Sequence, residues 1–171
     1  MSQVYVVDAG VLFSTWTKKI PDATLVTTSN ILSEVHNKPS QFRSEILMVI
    51  NRMRAIDPEE KEIHRTTDAA SQSGDISVLS ENDIELIALA LKIKNEGKKV
   101  TLVSTDFAVL NTASHLDIAI LDPSGKFKEQ ITWVRRCPAC KYKSKTPSDD
   151  IECPVCGTEM RRMSLRKRKM S

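Results

Sequence analysis

The 171-residue chain has no apolar stretch that could cross a membrane. Its longest, Leu86–Leu91, falls far short of the roughly 18 residues a span requires. Its start has no basic segment followed by an apolar one, so no secretory signal is expected and the chain reads as cytoplasmic. No stretch repeats another. No cysteine lies outside residues 137–156, so none is left over once the four found there are assigned. Charge is present but uneven. Residues 1–132 carry 14 Lys/Arg against 18 Asp/Glu, a net of −4, whereas residues 133–171 carry 11 against 4, a net of +7. An acidic body with a basic end suggests two jobs, and the basic end suits a polyanion such as nucleic acid. The run Arg166-Lys167-Arg168-Lys169 also fits a plain solubilising tail.

Hydrophobic patterning divides the chain in the same place. Val4–Val7, Thr24–Thr27, Val100–Ser104 and Ile118–Leu121 are short runs rich in β-branched residues and read as strands. Between them the spacing predicts helices: about Ala9–Trp16, one beginning at Ser29 or Asn30 and running through Val35, Phe42–Arg54, one opening at Pro58, one opening at Ser80-Glu81-Asn82-Asp83 and closing at Gly97, and Phe107–Ser114. In the helix opened at Ser80, apolar residues at 84, 86, 87, 88, 89, 91 and 93 cover most of the circumference, which predicts burial on most sides. Strands alternating with helices imply an α/β fold with a parallel sheet. Ser124-Gly125 marks a turn, and Ile131–Arg136 reads as an extended connection. A core of roughly 130 residues folds alone, but a further 35 or so require a metal or disulfides.

That second part contains Cys137-Pro-Ala-Cys140 and Cys153-Pro-Val-Cys156, separated by twelve residues. Each C-x-x-C turn aims two thiolates at one point, and two such turns complete a tetrahedral zinc shell. Paired disulfides require an oxidising compartment that nothing here suggests. A redox dithiol needs one such turn at a helix start rather than two matched ones. Four thiolates leave no open position on the metal, so one structural Zn²⁺ is expected. Gly157 follows the second turn and lets the chain curl; Lys141 stands in the equivalent place after the first. Lys141, Lys143, Lys145, Arg161 and Arg162 surround this ribbon and are the candidate phosphate-docking residues.

Four carboxylates stand out by position. Asp8 follows the first strand, Glu34 lies on the next helix, Asp83 is in the first turn of the buried helix, and Asp106 follows the Val100–Ser104 strand. In a parallel sheet, residues just after strands gather at the carboxyl edge, where such folds place their sites. Converging carboxylates repel unless a hard cation such as Mg²⁺ or Mn²⁺ sits between them. Each also has an ordinary reading: Asp8 and Asp106 as helix caps, Ser80 with Asp83 as a capping box, Glu34 as a solvated charge. From spacing alone both readings stay open, as does an acid–base part for His36 or His64.

Taken in order, the Asp8 strand end, Glu34, Leu79-Ser80-x-x-Asp83 and Ser104-x-Asp106 resemble the acidic motifs of PIN-domain ribonucleases over about residues 1–125. A PIN domain followed directly by such a ribbon is similar to the Nin-one-binding family of endonucleases, and Ser104–Asn111 resembles that family's stretch around its last acidic motif. The resemblance implies a PIN-like sheet over residues 1–125, a connecting extended segment at 126–136, a zinc ribbon at 137–160 and a basic tail at 161–171. It also implies Mg²⁺- or Mn²⁺-dependent cleavage at the 3′ end of the small-subunit rRNA precursor in a pre-ribosomal particle. Asp8, Asp83 and Asp106 would hold one or two ions with Glu34 beside them, and Ser104 would hydrogen-bond among the carboxylates. Thr105 departs from the pattern, since the family often has two adjacent aspartates there. Two rival readings remain: a non-catalytic RNA-binding assembly factor, and a toxin-type PIN nuclease, against which the ribbon argues.

Overall fold

The structure, a computed structural model, describes residues 3–12, 14–37, 53–144, 147 and 150–170. Five parallel strands form the central sheet: β1 Val4–Val7, β2 Thr24–Thr27, β3 Met53–Ala55, β4 Val100–Val103 and β5 Ala119–Leu121, in the order β3-β2-β1-β4-β5. β1 is central because Val4, Val6 and Val7 give it apolar side chains for both faces. Its neighbours diverge from it, β2 and β3 to one side and β4 and β5 to the other. The carboxyl ends of β1 and β4 therefore flank the sheet's topological switch point. Register pairs Val7 with Val103, so the residues that follow, Asp8 and Ser104, leave the sheet side by side.

Helices cover the sheet: α1 Ala9–Leu12, α2 Ser29–Asn37, α3 Glu60–Ser73, α4 Glu81–Asn95 and α5 Phe107–His115. α4 is the buried helix its broad apolar face predicts. Ile84, Leu86 through Leu91 and Ile93 are all buried, together with Val6, Val26 and Leu102 from one face of the sheet. The opposite face, Val7, Leu25 and Val103, packs on Val11, Leu12 and Val35. Each such side chain, fully buried, contributes roughly 1.5–3 kcal/mol.

Some expectations need revision. The helix expected over Ala9–Trp16 stops at Leu12. The Ser14 hydroxyl then accepts from the Trp16 amide and starts a 3₁₀ turn over Thr15–Lys19. Of the helix expected at Phe42–Arg54, residues 42–52 lie outside the described residues, while Met53 and Arg54 belong to β3. The largest change is at the end of the chain. The connecting segment and the basic tail are two strands of one hairpin: β6 Glu129–Arg136 pairs antiparallel with β7 Arg161–Lys169, and the cysteine turns sit at its tip. A charged stretch looks like solvated tail in a sequence, but here its backbone groups find partners in β6.

The hairpin is fastened to the α/β part by hydrogen bonds and by close backbone packing. Asn111 of α5 brackets one residue of β6: its Oδ1 accepts from the Ile131 amide and its Nδ2 donates to the Ile131 carbonyl, both at 2.7 Å. Below it, α3 ends at Gly74, whose φ of +78° suits a residue without Cβ. A Cβ there would lie 2.8 Å from the Trp133 carbonyl oxygen, so the absence of a side chain also lets β6 come close.

Candidate functional site

At the switch point, Asp8 and Asp106 are joined through Ser104. The buried Ser104 hydroxyl donates to Asp8 Oδ2 and accepts from the Asp106 amide at 3.0 Å. This is the place expected for a small hydroxyl residue among the acids. Asp8 Oδ1 accepts from the Val11 amide at 2.7 Å. Asp106 caps α5, its Oδ1 accepting from the Ala108 and Val109 amides at 2.7 and 3.4 Å. Burial raises the Asp8 carboxyl above the usual aspartate range, and the Asp106 charge adds to the rise. The hydrogen bonds from Ser104 and the nearby amides pull the other way without cancelling it.

The other two acids are each fixed by a residue at or next to the start of α4. Asp83 Oδ2 accepts from the Ser80 amide and hydroxyl at 2.9 and 2.7 Å, and Ser80 Oγ accepts from the Asp83 amide at 3.2 Å. The capping-box reading of this pair is therefore realised. Glu34, exposed on α2, accepts from Asn82 Nδ2 at 2.6 Å. A second amide–carboxylate bond, Asn30 Nδ2 to Glu85 Oε2 at 2.8 Å, ties the same two helices. Neither Asn30 nor Asn82 stands out in the sequence as more than a helix-start residue. Only the approach of α2 to α4 gives them this part. Asp8 and Asp106 are thus linked through Ser104, while Asp83 and Glu34 are each held separately, by Ser80 and by Asn82. His64 is exposed, 3.8 Å from Glu60, and the His36 side chain lies outside the described residues.

Among the described residues, one group of three or more His, Cys, Asp or Glu brings all its ligand atoms within 4.8 Å of one another: Cys137, Cys140, Cys153 and Cys156. Cys137 Sγ lies 3.5 Å from Cys156 Sγ, and Cys140 Sγ 3.5 Å from Cys153 Sγ. Zinc–sulfur bonds of about 2.3 Å in a tetrahedron put sulfurs ~3.8 Å apart, so the four thiolates fit one Zn²⁺. The two turns are near copies. The Cys137 amide donates to the Tyr142 carbonyl at 2.8 Å, and the Cys153 amide to the Thr158 carbonyl at 3.0 Å. Lys141 and Gly157 both take the left-handed conformation, at φ +67° and +71°. Thr158 beside Cys156 pulls that thiol down to about 6. Cys140 is pushed up to about 12, where burial and the neighbouring thiols outweigh the Tyr142 amide, which alone would lower it.

The candidate docking cations do not share one fate. Lys141, Lys143 and Arg161 are exposed around the ribbon, and Lys145 lies outside the described residues. Arg162 is corrected: it is engaged within the chain. Its Nη2 donates to Asp75 Oδ1 at 2.7 Å and to the Gly74 carbonyl at 2.9 Å, and the guanidinium lies 4.5 Å from the centre of the Trp133 ring. The sequence holds no local signal for this pairing, because the partners are 87 residues apart.

The chain is similar in sequence to known proteins. Residues 5–93, just over half the chain, match the family described as "PIN domain of ribonuclease". Ribonuclease VapC1 of Thermoplasma acidophilum is 26% identical over 171 residues, covering 99% of this chain and 83% of that protein. Endoribonuclease Nob1 of Pyrococcus abyssi is 29% identical over 142 residues, 83% of this chain and 85% of its own. Endoribonuclease Nob1 of Archaeoglobus fulgidus is 28% identical over 161 residues, 92% and 89% respectively. The five-stranded parallel sheet, the acids at its switch point and the residues matched place this chain in the PIN-domain ribonuclease family.

Proposed function

We propose that the chain is a divalent-metal-dependent endoribonuclease that cuts the small-subunit rRNA precursor at its 3′ end within a pre-ribosomal particle. The observation that carries this reading is the Asp8–Ser104–Asp106 linkage at the switch point. Two carboxylates held together by a buried hydroxyl, one of them raised by burial and by its neighbour's charge, are placed to share a cation. Their oxygen donors suit Mg²⁺ or Mn²⁺. Asp8, Asp83 and Asp106 would hold one or two such ions, with Glu34 fixed nearby by Asn82. Such an ion would lower the pKa of a bound water and offset charge on the phosphate.

This chain's residues do the rest. Ser104 fixes the Asp8 carboxylate, and the α5 amides fix that of Asp106. Ser80 fixes the Asp83 carboxylate at the start of α4. No side chain need act as a covalent nucleophile. Water attack leaves a 3′-hydroxyl and a 5′-phosphate. Lys141, Lys143, Lys145 and Arg161 would dock the ribbon on phosphates of structured RNA, and the sheet edge would receive a neighbouring single strand. Relatives named Endoribonuclease Nob1 support this direction.

The test is cleavage of rRNA-precursor fragments by purified protein with Mg²⁺, Mn²⁺ or EDTA. Metal-dependent cutting that leaves those two ends supports the reading. Tight binding of the fragments without cleavage in either metal favours the non-catalytic assembly factor.

A further inference from the structure

A cleft of about 470 Å³ opens where α5 and the β5–β6 connection meet the hairpin. Its walls are aromatic. Phe107 stacks on Phe127 with ring centres 5.9 Å apart and planes 29° from parallel, and Trp133 lies deeper in the same cleft. Phe107 directly follows Asp106, at the first position of α5, yet it is 51% exposed. The half-open Phe107 ring stands beside acidic site residues and belongs to a contiguous apolar surface rather than standing alone. Val78, also half exposed, extends the apolar surface.

The rim carries positive charge. Lys126 and Lys128 flank Phe127, exposed where the ring is half-buried, so the ring faces the cleft and the cations its lip. The two acids lining the cleft are already paired, Asp75 with Arg162 at 2.7 Å and Glu129 with Lys167 at 3.2 Å. An occupant therefore meets flat apolar rings inside and, outside, exposed cations that no acid opposes among the described residues. Apolar peptides do not require the cations, and a polyanion without planar groups does not require the rings.

We propose that this cleft is a base-binding subsite: an unpaired nucleobase next to the phosphate held at the Asp8–Asp106 edge stacks on Phe107, while Lys126 and Lys128 hold the adjoining phosphates. The proposal rests on the nuclease reading for its direction along the strand, but the cleft's chemistry is tested separately. Stacking on an aromatic ring tolerates any base, so the subsite selects single-stranded RNA over duplex rather than one sequence. It also places the strand between the acidic edge and the ribbon hairpin.

The probes are a fluorescein-labelled 12-nucleotide oligoadenylate and an abasic ribose-phosphate strand of the same length. Binding is measured on the full zinc-loaded chain in EDTA-free buffer without Mg²⁺ or Mn²⁺, so that cleavage plays no part. The parent should prefer the base-bearing strand. Phe107→Ala should bind it about tenfold more weakly, within the range of one lost stack, and bind the abasic strand unchanged. Phe107→Tyr should keep the preference, and Phe107→Leu, which retains apolar area without a ring, should lose it. Equal loss on both strands, or no loss on either, overturns the subsite. So does a parent that sediments as a dimer which Phe107→Asp converts to monomer, because the cleft would then be covered by a second copy. If cleavage fails while the stacking pattern holds, the nuclease reading fails and the subsite stands.

Discussion

Arg162, near the start of β7, donates to Asp75 in the turn after α3, and this ion pair is one of the bonds that tie the ribbon hairpin to the α/β part. Asp75 is buried, and the same carboxylate also accepts from Ser73, Asn111 and Thr112 at 2.8, 2.6 and 3.4 Å. A carboxylate removed from water this completely persists only with its donors in place. Asp75→Ala removes the carboxylate that balances Arg162 and that Ser73, Asn111 and Thr112 share, and should cost roughly 3–5 kcal/mol. The double variant Asp75→Leu/Arg162→Met removes both charges and should recover most of that loss. Thermal unfolding of the three proteins tests this. A single variant no less stable than the double one would show that the pair does not anchor the hairpin.

The acids at the sheet edge predict opposite effects on activity and stability. Asp8→Asn, Asp83→Asn and Asp106→Asn should each remove most RNA cleavage. Ser104→Ala, which loosens Asp8 and removes the acceptor of the Asp106 amide, should lower it about tenfold to a hundredfold. Because the folded state raises the Asp8 carboxyl, its protonated form is the one the fold favours. That contribution is complete below the ordinary aspartate range and is lost as pH rises through the raised value. In metal-free buffer Asp8→Asn should therefore match the parent near pH 3 and be the more stable protein at pH 8. Melting curves between these limits decide it, and saturating Mg²⁺ should reverse the order by stabilising the parent alone.

Much of this arrangement was legible in the chain, because local patterns governed it. β1 and β4 read as strands from their β-branched runs, α4 as a buried helix from its wide apolar face, and the ribbon from two matched C-x-x-C turns. Asp8 and Asp106 were placed by the rule that residues after parallel strands converge. What the sequence hid depends on partners distant in the chain. Arg161–Lys169 reads as a charged tail, and only pairing with β6 makes it a strand. Arg162 looks like one more docking cation until Asp75 is known to face it. Asn82 looks like a helix-start residue until α2 brings Glu34 alongside.

The ribbon should hold one zinc per chain, and its loss to a strong chelator should disorder the cysteine turns while the parallel sheet stays folded. The two turns differ at one position. Lys141 occupies the left-handed conformation that Gly157 adopts freely, at a cost of about 1 kcal/mol. Lys141→Gly should relieve it and slow zinc release roughly fivefold, while Gly157→Ala should speed it. A zinc-release assay with a chromophoric chelator measures both. Identical release from all three proteins would mean that the turn conformation does not limit metal retention.

The final prediction concerns β7 as a phosphate-binding strand. Arg166 and Arg168 alternate along it with Lys167 and Lys169, so the two pairs face opposite sides of the hairpin. The sides are not electrically equal, because Lys167 is paired with Glu129 at 3.2 Å. If the hairpin binds RNA through phosphates, each contact releases counterions and adds about 0.7 to the salt slope for a single strand, or about 0.9 for a duplex. Arg166→Gln/Arg168→Gln should then flatten the plot of log affinity against log salt by roughly 1.4–1.8 on rRNA-precursor fragments. Lys167→Gln/Lys169→Gln should change it by about half as much, since one of its two charges is already balanced. Affinities measured from low to physiological salt distinguish the outcomes. Equal flattening by both pairs would indicate a diffuse attraction with no preferred face. No flattening by either would mean that β7 serves to close the hairpin and that the exposed lysines nearer the zinc carry the RNA.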